Sequence, residues 1–301
     1  MSGHSGRAPS SADGIPPGLF DFEEVAPDSF RAAATGGPLL RLFGGHVLAQ
    51  ALSAAQRTVA PGRFANSLHA YFIRPGLPDL PIDFTVARYA DGRSFSSRRV
   101  EAMQGGKIIL CLTTSMHDEE PGAVHQVAMP DVPPPEELTP QDAIIAEALP
   151  HMPPLRHPFW NRDLGIDFRA VEPFVTVDPP VSPSRRHFWV RIKERLGDDP
   201  AEHQRMLTYF SDLYVMHTGL GPLGISWADH RMQDASLDHA VWFHQRFRAD
   251  EWLLYAMDSP YAGGARTLGR GTIFTRDGRV VASVAQEGLV RILPPLGGSG
   301  A

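Results

Sequence analysis

Gly106-Lys107-Ile108-Ile109 and Gly278-Arg279-Val280-Val281 are the two stretches on which the fold turns. Each is a tight turn running into a strand. Gln104-Gly105-Gly106 leads into the first and Asp277-Gly278 into the second, and glycine accepts the positive φ that hairpin turns demand. The two stretches lie 172 residues apart, and Arg98 aligns with Arg270 at the same spacing. Tyr71-Phe72 aligns with Trp242-Phe243 at a spacing of 171. The bland alternative is two unrelated antiparallel meanders with similar strand lengths. A near-constant spacing held over about forty residues points instead to a duplicated unit. Two copies do not make a solenoid, so the halves are expected to pack as a pseudo-two-fold pair.

Outward from these turns, each half reads as one helix followed by strands. In the first half Val47, Leu48, Ala51, Leu52, Ala55 and Val59 recur at helical spacing after Gly44-Gly45, and Pro61-Gly62 ends the run. Strands follow at Asn66–Arg74, Pro81–Ala90, Ser94–Gln104 and Lys107–His117. In the second half, strands near Arg169–Val177 and His187–Lys193 precede a helix from about Pro200 to His217, with Asp199 as its cap and Pro200 at its first position. Four strands come next: Gln233–His244, Trp252–Ala262, Arg266–Arg276 and Arg279–Glu287. Between the halves Pro133-Pro134-Pro135, Pro150 and Pro153-Pro154 forbid a long helix or a central strand, leaving room for a short helix around Gln141–Leu149.

A helix that is apolar nearly all round has to be buried, and an antiparallel meander can wrap it. The expected class is α+β: two fused hot-dog domains, each an antiparallel sheet around a central helix. The expected divisions are a disordered lead at 1–18, a first domain at 19–118, a linker at 119–165, a second domain at 166–292 carrying the chemistry, and a flexible tail at 293–301. The 301 residues are 43% hydrophobic and 21% charged, which suits a packed core rather than disorder. A net charge of −6 with both signs scattered argues against a nucleic-acid partner. The lone Cys111 excludes a disulfide framework and a cysteine-rich metal site, and its apolar strand suggests a small core residue. No apolar run reaches membrane-spanning length, and the Ser-, Gly- and Pro-rich start lacks the apolar stretch of a secretory leader, so no membrane partner and a cytoplasmic setting are expected.

Three stretches carry a family resemblance: Arg41-Leu42-Phe43-Gly44-Gly45, Ala235-Ser236-Leu237-Asp238-His239-Ala240-Val241-Trp242-Phe243-His244 and Val284-Ala285-Gln286-Glu287-Gly288. Glu251-Trp252-Leu253-Leu254-Tyr255 also fits. Together they resemble the acyl-CoA thioesterase II family, over roughly Phe20–Arg291. The resemblance implies a double hot-dog hydrolysing acyl-CoA, with a catalytic Asp on the second helix, a Ser or Thr before Leu-Asp-His and a Gln before Glu-Gly. These fall on Asp212, Ser236 and Gln286. It also implies substrate contact at Gly44, Gly45 and His46; the last departs from the family's usual Gln and bears on chain-length preference. A homo-oligomer, dimer or tetramer, is expected, and no cofactor.

Taken alone, the residues say less. Asp212 is the sole acidic residue between Arg205 and Gly224, in a helix apolar on both sides, where a carboxylate needs a partner or a task. The alternative is an Asp exposed in a gap of the sheet. Gln286 is in line with Val280, Ala282 and Val284, which puts its amide on their face, but a glutamine at a strand end is ordinarily just solvated. Ser236 before an apolar strand is ordinarily a turn or cap residue. The chemistry gives the triple meaning: a thioester has a good leaving group, so the protein needs a base for water and donors for the oxyanion.

Several patterns are decoys. Gly219-Leu220-Gly221-Pro222-Leu223-Gly224 matches a dinucleotide fingerprint, but it follows a helix and Pro222 removes a backbone donor. No Gly-x-Ser-x-Gly elbow occurs. His239 and His244 are read as structural, and no metal-ligand spacing stands out. Two other functions stay open. A hot-dog hydratase would use Asp212 and His217, five positions apart, but it would place a proline between them. A binding protein without turnover would need no complete Asp, Ser and Gln set. Arg74, Arg98, Arg266 and Arg270 are candidates for the nucleotide of CoA.

Overall fold

The structure, a computed structural model, describes residues 15–16, 18–36, 40–152, 163–172, 179–226 and 232–293. Most of the expected lead and tail, and residues 173–177 of the expected Arg169–Val177 strand, lie outside them.

The first half contains β1 (Phe22–Ala26), β2 (Ser29–Ala32), helix α1 (Gly44–Gln56), β3 (Arg63–Phe72), β4 (Ile82–Asp91), β5 (Phe95–Gln104) and β6 (Lys107–Asp118). The short helix α2 (Gln141–Ala148) falls in the proline-rich stretch, as expected. The second half contains β7 (Ile166–Ala170), β8 (Arg185–Ile192), helix α3 (Pro200–Ser211), β9 (Met232–Ser236), β10 (Asp238–Phe243), β11 (Leu253–Gly263), β12 (Arg266–Thr275) and β13 (Val280–Ile292). The strand pair β1 and β2 was not foreseen.

One antiparallel sheet runs β1-β2-β4-β5-β6-β3-β10-β13-β12-β11-β8-β7, with β9 paired to β13. The duplication shows in this order. From the junction of β3 with β10, where Leu68 faces Val241 and Ala70 faces His239, the sheet reads the same way outward in both directions. Helix α1 is buried from Gly45 through Ala55, packing on β3, β4, β5, β6 and α3. Leu48, Leu52, Phe84, Leu110, Leu112, Phe188 and Phe210 belong to one core shared by both halves. The α+β double hot-dog class is thereby observed.

Two expected elements are broken. The helix expected to reach His217 ends at Ser211, with Asp212 as its C-cap. Neither Gly nor Pro marks the break. Tyr214 adopts φ 63°, and Val215 N–H donates to the Leu213 carbonyl at 2.9 Å, reversing the chain. The ring of Tyr214 stacks on Phe188 at 5.1 Å and meets Phe168 edge-on, so tertiary packing sustains a conformation that local preference disfavours. A 3₁₀ helix follows at Met216–Leu223 and holds most of the glycine-rich decoy; Gly224 ends it with φ 61°. The single strand expected over Gln233–His244 is interrupted at Leu237, whose N–H donates to Glu287 and whose carbonyl accepts from Phe72. Cys111 is half-buried, not a core residue: on β6 it alternates outward between buried Leu110 and Leu112.

Candidate active site

Helix α1 begins without a side-chain cap, because Phe43 at the N-cap has no oxygen to offer. The first-turn amide of Gly45 is served from the other half of the chain: its N–H donates to Asp212 Oδ2 at 2.9 Å. The positive end of the α1 dipole thus faces a carboxylate that is 9% exposed. Two glycines are required for this approach. A Cβ at Gly45 would collide with the Tyr209 carbonyl oxygen, and one at Gly44 would lie 2.7 Å from Asp212 Oδ2.

The other oxygen of Asp212 meets the β9–β13 pair. Gln286 Nε2 donates to Asp212 Oδ1 at 2.6 Å and to Ser236 Oγ at 2.8 Å, and Ser236 Oγ lies 3.4 Å from Asp212 Oδ1. Gln286 sits inside a long strand, not at its end, and is fully buried on the face of Ala282 and Val284, as its alternation predicted. Its Oε1 is buried and without a hydrogen-bond partner among the described residues.

The break after Asp212 lies directly on the sheet. Gly269 pairs with Gln286, and a Cβ at Gly269 would collide with the Val215 carbonyl oxygen. A Cβ at Gly288 would likewise strike Met216. The bare backbone at these positions admits the segment that carries Asp212. Behind the carboxylate, Tyr255 Oη donates to the Ser211 carbonyl at 3.0 Å and His239 Nε2 contacts Ser211 Oγ at 2.8 Å. Burial holds the His239 imidazole below its ordinary range and pushes the Tyr255 phenol well above its own, the Asp212 charge adding to the latter.

Asp212, Ser236, Gln286, Gly44 and Gly45 therefore converge, and His46 is buried in the first turn of the same helix. His217 does not share a helix with Asp212: it lies in the 3₁₀ helix beyond the reversal at Tyr214, its ring 3.7 Å from Asp234. Among the candidate arginines, Arg98 is fully buried against Thr58 and Asp91 and out of reach of a nucleotide. Arg74 donates to the Ile108 carbonyl and Arg270 pairs with Asp258, while Arg266 lies 3.6 Å from Glu287, beside Gln286. Sequence patterns did not single out Ser211, Gly269 or Tyr255; the tyrosine fell within a stretch quoted only for its resemblance.

A helix-threaded, duplicated antiparallel sheet of this kind is that of a hot-dog protein: a protein with that fold from Alicyclobacillus acidocaldarius superposes with a TM-score of 0.71 over 92% of this chain and 97% of its own, at 17% identity. The family described as acyl-CoA thioesterase matches residues 175–289, and the one described as acyl-CoA thioesterase N-terminal domain matches 35–117. Human acyl-coenzyme A thioesterase 8 is 38% identical over 92% of this chain and 88% of its own. The acyl-CoA thioesterase II TesB2 of Mycobacterium marinum is 39% identical, with a TM-score of 0.74 over 91% of this chain and 97% of its own. The chain belongs to the acyl-CoA thioesterase family and is an acyl-CoA thioester hydrolase.

Proposed function

We propose that hydrolysis takes place where the first turn of α1 meets the C-cap of α3, by attack of a water molecule that Asp212 deprotonates. The observation that carries this reading is the convergence of Asp212, Gln286 and Ser236 beside a buried Gln286 oxygen that still has acceptor capacity. A water between Asp212 and the thioester carbonyl gives one hydrogen to the carboxylate, with Gln286 and Ser236 fixing its orientation. The water oxygen bonds to the carbonyl carbon as its proton passes to Asp212. The tetrahedral oxyanion is stabilised by the first turn of α1, with the dipole behind it. Collapse breaks the C–S bond, and the proton on Asp212 passes to the leaving thiolate. The products are a free carboxylic acid and CoA. The leaving thiol is acidic enough, with a pKa of about 8.5, that no metal or dedicated general acid is required.

Gly44, Gly45 and His46 are assigned to the acyl-thioester side of the site, on the support of their place in the first turn of α1. The domain limits 19–118 and 166–292, with 119–165 as linker, are kept as proposed, with one site per chain. A cytoplasmic homo-oligomer is the proposed setting. Exposed Tyr71 and Trp242 on the central strands support self-association, and sedimentation would measure it.

The test is Asp212→Asn, which keeps the shape and removes the base. Turnover is expected to fall about a hundredfold to ten-thousandfold, with melting temperature and affinity for a non-hydrolysable acyl-CoA analogue nearly unchanged. Wild-type turnover in that variant would remove Asp212 from the mechanism.

A further inference from the structure

We infer that Ser211, His239 and Tyr255 form a positioning set that fixes the Asp212 carboxylate from behind. The inference rests on the reading of Asp212 as the base. None of the three has a step in the hydrolysis itself.

Asp212 stands at a weak point of the backbone. The helix has just ended, its last carbonyls have no partner within the helix, and two residues later the chain reverses at Tyr214. Ser211 is held on both sides of this point. Its main-chain carbonyl accepts from Tyr255 Oη at 3.0 Å. Its Oγ donates to the Thr208 carbonyl at 3.1 Å, which spends the one hydroxyl hydrogen. The contact of that Oγ with His239 Nε2 at 2.8 Å must then be a bond that the imidazole donates. In the tautomer that this arrangement favours, Nε2 carries the hydrogen and Nδ1 is a bare acceptor. Nδ1 is buried without a hydrogen-bond partner among the described residues.

That orphan is the telling feature. His239, Tyr255 and Ser211 are all fully buried. Phenylalanine at 239 would fill the core without a desolvated ring nitrogen, and an unpaired buried acceptor is destabilising; the Tyr255 phenol, by contrast, serves the buried Ser211 carbonyl, which phenylalanine would leave bare. The sheet is also shaped for Tyr255: a Cβ at Gly271 would collide with its ring. A core that keeps an orphaned imidazole where an apolar ring would leave nothing unpaired is holding geometry, not stability. What they hold is the peptide that carries Asp212, whose oxygens have to meet Gly45 N at 2.9 Å and Gln286 Nε2 at 2.6 Å. A misplacement of about 1 Å at such a site costs on the order of a hundredfold in rate.

The experiment measures kcat, KM and melting temperature for His239→Phe and Tyr255→Phe, each alone and combined with Asp212→Asn. Each single variant is expected to lower kcat about 10–100-fold with KM within about twofold, and His239→Phe is expected to melt no lower than wild type. His239→Gln, whose amide N–H can donate to Ser211, recovers part of the loss. In the Asp212→Asn background the same changes should have no further effect, because a positioning group acts only through the carboxylate it positions. If both single variants turn over like wild type while Asp212→Asn is crippled, the positioning set is wrong and the base stands. A loss that persists undiminished in the Asp212→Asn background also overturns it. If Asp212→Asn itself turns over like wild type, the reading beneath it fails.

Discussion

Helices α1 and α3 are duplicates that end differently. The C-cap of α3 is Asp212, turned inward to the first turn of α1; the C-cap of α1 is Arg57, exposed and donating to the Phe20 carbonyl. The sheet repeats the contrast. In β12 and β13 Gly269 faces Gln286, and the bare glycine leaves room for the Val215 peptide. In β5 and β6 the matching pair is Arg98 facing Thr114, and the buried guanidinium fills that volume, bonding Thr58 through both its hydroxyl and its carbonyl. Ser236 faces Gly288; its counterpart Ala65 faces Met116. At the N-terminus of α3, Gln204 closes the second junction by accepting from Ala65 N–H at 3.1 Å and donating to the Ala65 carbonyl at 2.7 Å. One junction satisfies itself; the other leaves a carboxylate and an amide oxygen available. The scaffold is common to both, and on the proposed mechanism a few side chains decide which of two equivalent places holds the reacting water.

On the proposed mechanism, making the β12–β13 junction resemble its β5–β6 counterpart should abolish turnover. The largest effect is expected from Gly269→Ala, which forces the Val215 peptide off the sheet and Asp212 with it; turnover should fall by at least about a hundredfold, and steady-state kinetics on a folded, melting-checked sample would show it. Gln286→Thr and Ser236→Ala copy Thr114 and Ala65. Each is expected to lower kcat about tenfold to a hundredfold, and the double variant should lose less than the product of the two, since the groups act as a unit. Arg98→Met in the β5–β6 junction should leave kcat per folded molecule unchanged while lowering stability by about 2–4 kcal/mol, through unbonded buried carbonyls and lost packing; a denaturant titration read beside the kinetics separates the two.

The smallest effect concerns pH. His203 accepts from Ala249 N–H near the start of α3, and His239 lies by its end; burial holds both below the ordinary imidazole range. The unfolded chain binds these protons more readily than the folded one, so stability is fully present above the unfolded pKa of about 6.5 and declines as pH falls through that value. The melting temperature should be lower at pH 5 than at pH 7.5, with a shallower decline in His239→Phe.

Much of this was legible in the sequence, because it rests on periodicity. The glycine turns at Gly106 and Gly278, the apolar run of α1 and the alternation through Val280, Ala282 and Val284 gave the duplication, the buried helix and the inward face of Gln286. The resemblance named Asp212, Ser236 and Gln286, and the structure brings these three together. What could not be read depends on contacts between distant residues. The reversal at Tyr214 needs Phe168 and Phe188, more than twenty residues away, and has no glycine to announce it. Gly269 matters only because Val215 lies on it, and Arg98, aligned with Arg270 by spacing, has one-residue-shifted Gly269 as its partner across the duplication. His239 reads as structural because it adjoins Asp238 in a strand, where the two side chains point to opposite faces; its bond to Ser211 crosses from sheet to helix.

In the proposed mechanism water, activated by Asp212, attacks the thioester directly. A single turnover in ¹⁸O-labelled water, with enzyme in excess over acyl-CoA, tests it. Direct attack by water predicts that the fatty acid of that first turnover carries one ¹⁸O atom and that the peptide containing Asp212 carries none. Unlabelled acid with the label found on Asp212 would contradict it, making the carboxylate a nucleophile that is itself acylated.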